Sequence, residues 1–128
     1  MSRSRVFVFG SNTRGAHGAG AARYAVEHHG AIMGLGDGLQ GNSYAVPTKD
    51  MYIKTLSLKV IEKYVIKFLQ FAYEHDEMEF DVTRIGCGLA GYTDKDMAPL
   101  FVGAPKNCWF AEAWKPWLGD EANYNDFT

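Results

Sequence analysis

The residues with most chemical potential in this 128-residue chain are glycines, gathered in two turns that each follow an apolar, β-like run. The first turn passes from Gly10-Ser11-Asn12 through Gly15 and His17 to Gly18-Ala19-Gly20-Ala21-Ala22, behind Val6-Phe7-Val8-Phe9. The second is Gly86-Cys87-Gly88-Leu89-Ala90-Gly91-Tyr92, behind the run Phe80 to Ile85. Backbone without side chains lets a ligand approach its N–H groups, and a helix starting just beyond adds partial positive charge. Either turn alone reads as an ordinary tight strand-to-helix connection. Two in one small domain suggest a diphosphate held between two loops, and so a nucleotide site.

Other chemistries fit less well. No Gly-Lys-Ser or Gly-Lys-Thr follows either turn, which excludes a P-loop. The first turn has Arg23 where a dinucleotide fingerprint needs its third glycine, and no acidic residue ends the second strand. Gly36-Asp37-Gly38-Leu39-Gln40-Gly41 has the G-x-G-x-x-G spacing, but it precedes a strand and does not open a helix. A flexible or ligand-covering loop is expected there. There is no G-x-S-x-G elbow. His17 reads as a base or, more often, as a hydrogen-bonding loop former. Cys87 reads as a thiolate among amide donors or, more often, as a small residue tolerated in a crowded turn. Cys87 and Cys108 supply neither a disulfide framework nor a closely spaced zinc pair, so no metal and no cofactor is expected.

The elements that must position these turns follow from periodicity. Arg5 to Phe9 predicts a buried strand, and Ala19 to His29 a helix with Ala22, Ala25 and Val26 inward and Gly30 as its stop. His28 and His29 suit the carbonyls of its last turn. Ser43-Tyr44-Ala45-Val46 predicts a strand closed by Pro47. Leu58, Ile61, Val65, Phe68, Leu69 and Ala72 mark a helix over about 57–73, with Lys59, Lys63 and Lys67 on a solvated face. Glu79 to Ile85 predicts a strand, Thr93 caps a helix to about Val102, and Asn107 to Ala111 closes with a strand. Alternating strands and helices imply a largely parallel sheet covered by helices, with ligands outside the strand C-termini. Trp114 to Trp117 and the stretch after Gly119 read as peripheral.

Composition sets the outer bounds. A hydrophobic share of 47% in 128 residues indicates one ordered domain. A net charge of −2 lacks the global basic footprint of a nucleic-acid binder. No segment reads as a signal peptide or a membrane span, so a cytoplasmic protein without membrane contact is expected.

Ile85-Gly86-Cys87-Gly88-Leu89, Gly18-Ala19-Gly20-Ala21-Ala22 and Ser43-Tyr44-Ala45-Val46-Pro47-Thr48-Lys49 together resemble the signature elements of the macrodomain family. The resemblance runs from Val6 to about Phe110. It is strongest to the branch containing terminal ADP-ribose glycohydrolase and to short macro-like proteins of bacteria and phages. It implies a three-layer α/β/α domain with a mixed, largely parallel sheet over residues 1–118, leaving 119–128 as a polar acidic tail. It also implies ADP-ribose, or a related NAD-derived nucleotide, bound across the strand ends. By position, Asn12, Gly18, Ala19, Gly20 and Ala21 would contact the distal ribose and diphosphate. Gly86, Cys87, Gly88, Leu89, Ala90, Gly91 and Tyr92 would wrap the diphosphate, with Tyr92 stacking on or closing over the distal ribose.

In that branch the lysine of Thr-Lys attacks the anomeric carbon, and Lys49 matches it. The aspartate that completes turnover falls on Ala90, leaving Asp94, Asp50 and Asp37 as spatial substitutes. The resemblance therefore implies a binder first. An ADP-ribosyl hydrolase using Lys49, acting on ADP-ribosylated protein or nucleic acid, comes second. A protein-interaction module with a vestigial pocket, presenting Trp109, Trp114 and Trp117, comes third.

Overall fold

The computed structural model describes residues 5–125; the terminal residues 1–4 and 126–128, including the end of the expected tail, lie outside it. Its sheet is built outward from β1 (Val6–Asn12), whose side chains alternate between two cores. Val6 and Val8 point into the larger one, with Ile61, Val65, Phe68 and Ala72 of α2 (Leu58–Glu74). Phe9 points the other way, to Ala22 and Ala25 of α1 (Gly20–His28). The strand thus buries both faces, as a central parallel strand must.

Six strands in the order β2-β3-β1-β4-β5-β6 form the sheet. β3 (Ser43–Lys49) and β4 (Phe80–Val82) flank β1 in parallel, and β5 (Cys108–Phe110) continues in parallel beyond β4. Only β2 (Gly38–Gln40) runs antiparallel, along β3. The helical stripe of α2 is the expected one, started by Ser57, whose hydroxyl accepts from Val60 N. Fully burying side chains such as Phe68 or Ile61 contributes about 1.5–3 kcal/mol each, which fixes α2 on its face of the sheet. Among the described residues no helix is long and apolar enough to cross a membrane.

Several expectations need correction. Pro47 does not close its strand but sits inside β3, paired with Ser11. β2 begins at Gly38 opposite Ala45, so among the described residues no strand pairs with Pro47 on that side of β3 to miss its N–H. The passage from Gly34 to Asn42 supplies β2 and packs against the first glycine turn. Gly36 is required there, because a Cβ would stand 2.0 Å from the Asn12 carbonyl oxygen. The helix capped by Thr93 is only α3 (Asp94–Met97), followed by a 3-10 turn at Ala98–Phe101.

The tryptophan-rich end is peripheral at Trp117 but not at Trp114. Trp114 is fully buried, with ring centroids 5.2 Å from Phe101 and 6.1 Å from Phe110. After α4 (Lys115–Leu118) the chain turns back, and β6 (Asn123–Tyr124) pairs in parallel with β5. Part of the stretch expected as a tail is therefore an edge strand. Replacing Trp114 by alanine is expected to cost about 3–5 kcal/mol, by cavity formation in a core that cannot collapse around an indole. Urea unfolding with an unchanged slope measures it.

Candidate functional site

One cleft of about 1020 Å³ opens between the two glycine turns and takes in residues from both, together with Thr48 and Lys49 at the end of β3. The turns touch across it: a Cβ on Gly20 would lie 3.2 Å from Leu89 Cδ1. Asn12, Gly18, Ala19, Gly20, Ala21, Lys49, Gly86, Cys87, Gly88, Leu89 and Ala90 all line it. Gly91 and Tyr92 do not. The Tyr92 N–H closes the second loop on Gly86 O, and its hydroxyl donates to Leu56 O at 2.7 Å, so the ring packs against the larger core.

The first loop is held by Asn12, whose amide accepts from Ala16 N and donates to Ala16 O, both at 2.9 Å. That side chain shapes the loop, and it keeps a second amide N–H and a second oxygen lone pair beyond these two bonds. His17, 2% exposed, bonds Leu35 O through Nε2 at 2.9 Å and sets its ring edge-on to Phe9. It is a loop former behind the cleft. The Ser11 hydroxyl donates to Gly36 O, and Gln40 bonds Ile32 N and Leu35 O, so the 34–42 passage buttresses the loop from outside.

The second loop is pinned at its base. Arg84 donates Nε and a terminal nitrogen to the two oxygens of Asp94 at 2.8 and 2.7 Å, and Trp114 Nε1 donates to the same carboxylate at 2.8 Å. Gly86 is obligatory inside the loop: φ is +81°, and a Cβ would meet Met97 Sδ at 2.7 Å. Among the described residues the N–H groups of Gly88, Leu89 and Ala90 take no partner. Helix α1 opens on the cleft with no side-chain cap at Ala19, whereas Ser57 and Thr93 cap the next two helices. The cleft therefore collects unused backbone donors from both sides, the raw material of an anion site.

None of the carboxylates considered as substitutes at Ala90 lines the cleft. Asp94 is consumed by Arg84 and Trp114. Asp50 Oδ1 accepts from Tyr52 N and Lys54 N, and Asp37 pairs with Lys67 Nζ at 2.7 Å. Cys87 lies within reach, but burial, and then the Asp94 carboxylate, push its thiol up to about 12. It is a protonated thiol at neutral pH.

Sequence reasoning missed two parts of the site. One is a wall of aromatic rings, Phe7, Tyr24 and His29, beside the carboxylate of Asp81. Phe7 and His29 stack with centroids 4.4 Å apart, and Asp81 Oδ1 accepts from Arg5 at 3.1 Å and Asn125 at 3.3 Å. Burial, and then His28, hold His29 below its usual value. Phe7 and Asp81 are register partners, so their side chains share one face of the sheet. On that face α1 packs Ala22 and Ala25 with Phe9 of β1 and Ala45 of β3. Only knowledge of the register would have placed Asp81 beside Phe7.

The other missed part is the hairpin from Lys49 to Thr55, closed by a bridge between those two residues. Its Ile53 lines the cleft with φ +64°, a left-handed conformation that costs an L-residue about 1–2 kcal/mol. The Thr55 hydroxyl donates to Ala90 O at 3.0 Å and ties the hairpin to the second glycine loop. Phe7 and the Asn12–Lys49 pair stand five residues apart on β1, about 16 Å at the usual strand rise, so the cleft is long with unlike ends. Among the described residues no group of three or more His, Cys, Asp or Glu side chains is placed to hold a metal ion.

No family model, curated protein or solved structure matches this chain.

Two outcomes follow from the titrating groups. Iodoacetamide at pH 8 should leave both Cys87 and Cys108 unmodified in the native protein, since burial is the leading cause that raises each thiol to about 12; mass spectrometry reads the adducts. Arg84 holds the Asp94 carboxyl below its ordinary 3.8, so this group stabilises the fold above that pH and ceases to as pH falls through its lowered value. Asp94→Asn should flatten the acid limb of the stability curve below about pH 4 and lower the plateau above it.

Proposed function

We propose that this protein binds ADP-ribose or a related NAD-derived nucleotide in the cleft between its two glycine loops, within a macrodomain-like three-layer α/β/α architecture. One observation carries the reading. Two glycine-rich loops flank a single cleft, with free N–H groups at Gly88, Leu89 and Ala90 on one side and an uncapped helix on the other. Such donors suit a diphosphate and let a protein of net charge −2 hold one without a basic patch. The ends fit the rest of the ligand. Phe7, Tyr24 and His29 offer a stacking wall for a flat base, with Asp81 beside it as a hydrogen-bond acceptor. About 16 Å along the strand, Lys49 marks the other end, a separation suited to an extended dinucleotide-sized molecule.

Removal of ADP-ribose from a protein or nucleic acid is the second reading, supported by the presence of Lys49 in the cleft. It ranks below binding because, among the described residues, no carboxylate lines the Lys49 end. A lysine alone serves equally as a point charge for phosphate.

Calorimetric titration with ADP-ribose, ADP and NAD tests the proposal. ADP-ribose should bind tightest and ADP clearly more weakly. A ligand bound only by the folded state should stabilise the protein by about 2.7 kcal/mol at a hundredfold excess over Kd. Absence of binding to all three refutes the reading. For the hydrolytic variant, Lys49→Ala should abolish turnover while retaining ligand affinity; turnover that survives the substitution rejects lysyl chemistry.

A further inference from the structure

Ile53 occupies a backbone conformation in which glycine costs little and a β-branched residue costs most. The strain is enforced locally. Asp50 Oδ1 accepts from Tyr52 N at 2.8 Å and Lys54 N at 3.0 Å, and Ile53 N bonds Asp50 O at 3.1 Å. The bridge between Lys49 and Thr55 and the bond from Thr55 to Ala90 O then anchor this turn to both walls of the cleft. Ile53 is 39% exposed, so its side chain is not held there by burial in a core. What it does face is the cleft, within four residues of Lys49. Strained residues of this kind mark positions where the side chain's placement matters more than its conformational cost.

We infer that Ile53 determines specificity at the Lys49 end of the cleft, as an apolar wall that accepts an uncharged terminal group with a C–H face, such as a pentose, and disfavours a further phosphate. The inference rests on the nucleotide reading and deepens it. A sugar ring presents C–H groups that pack on an aliphatic side chain, while a phosphate placed against the same wall loses water without gaining donors there. Lys49 alone would favour an added phosphate, so the wall and the lysine together select an anion further in and a neutral group at the end.

The test uses the full chain with ADP-ribose, ADP and ATP, in wild type and in Ile53→Gly and Ile53→Asn. Both replacements tolerate the left-handed conformation, so both should melt at or above the wild-type temperature. Affinity for ADP-ribose should fall about tenfold in each, that for ADP should stay unchanged, and the wild-type preference for ADP over ATP should shrink. An unchanged ratio of ADP-ribose to ADP affinity in both variants overturns the inference. So does a lowered melting temperature with parallel loss of all three ligands, which would make Ile53 a packing residue. Failure of wild type to bind either ADP-ribose or ADP is a separate result: it removes the nucleotide reading, and this inference with it.

Discussion

The cleft exists because β1 and β4 part company at one carbonyl. Val8 O accepts both the N–H and the hydroxyl of Thr83, at 3.1 and 2.7 Å, and this is the last rung between the two strands. β1 continues beside β3 as far as Asn12, whereas the chain leaving β4 swings into the second glycine loop. Two segments that start side by side therefore end on opposite walls of an opening. Gly10 keeps the parting narrow at its root, where a Cβ would lie 3.6 Å from Gly86 N. The doubly used carbonyl is buried, and a buried acceptor that lost its donors would carry the full desolvation penalty, so the branch point is firmly fixed.

Beyond that branch, each loop is shaped by side chains at the cleft's edge that are engaged within the protein. Asn12 bonds Ala16 through its amide, and Arg84 and Asp94 pair their charges with each other. A surface ion pair is ordinarily worth little. Here the geometry is a two-pronged fork, and the carboxylate takes a third bond from a buried indole, which places the pair among the stronger cases. The result is a site in which unpartnered backbone N–H groups of the second loop sit between aromatic and aliphatic side chains at its two ends. Preorganised donors of this kind spare a ligand the entropy of ordering them.

Much of this was legible in the chain. The stripe of α2 follows from local periodicity and the buried strand β1 from its apolar, β-branched run, and the two glycine-rich turns mark the walls of the cleft. Residues placed by distant pairing were not legible. Trp114 looked peripheral because its partners Phe101 and Phe110 lie on other elements, and Asn123-Tyr124 looked like tail because two residues carry no strand signal. Pro47 misled because its tolerance depends on where β2 begins. Asp81 became part of the site only through its register with Phe7, which no window of sequence contains. Ile53 defied propensity outright, since nothing in its residue type announces a left-handed backbone.

The bond from Trp114 to Asp94 has an optical consequence. The indole that fills the larger core also touches the carboxylate that clamps the base of the second loop, so an electronic reporter is wired to the opening without standing in it. Any rearrangement that loosens the Arg84 fork changes the charge seen by the indole nitrogen and hence the colour of its emission. With Trp109 and Trp117 replaced, the emission of Trp114 would report the order of that loop without an added label.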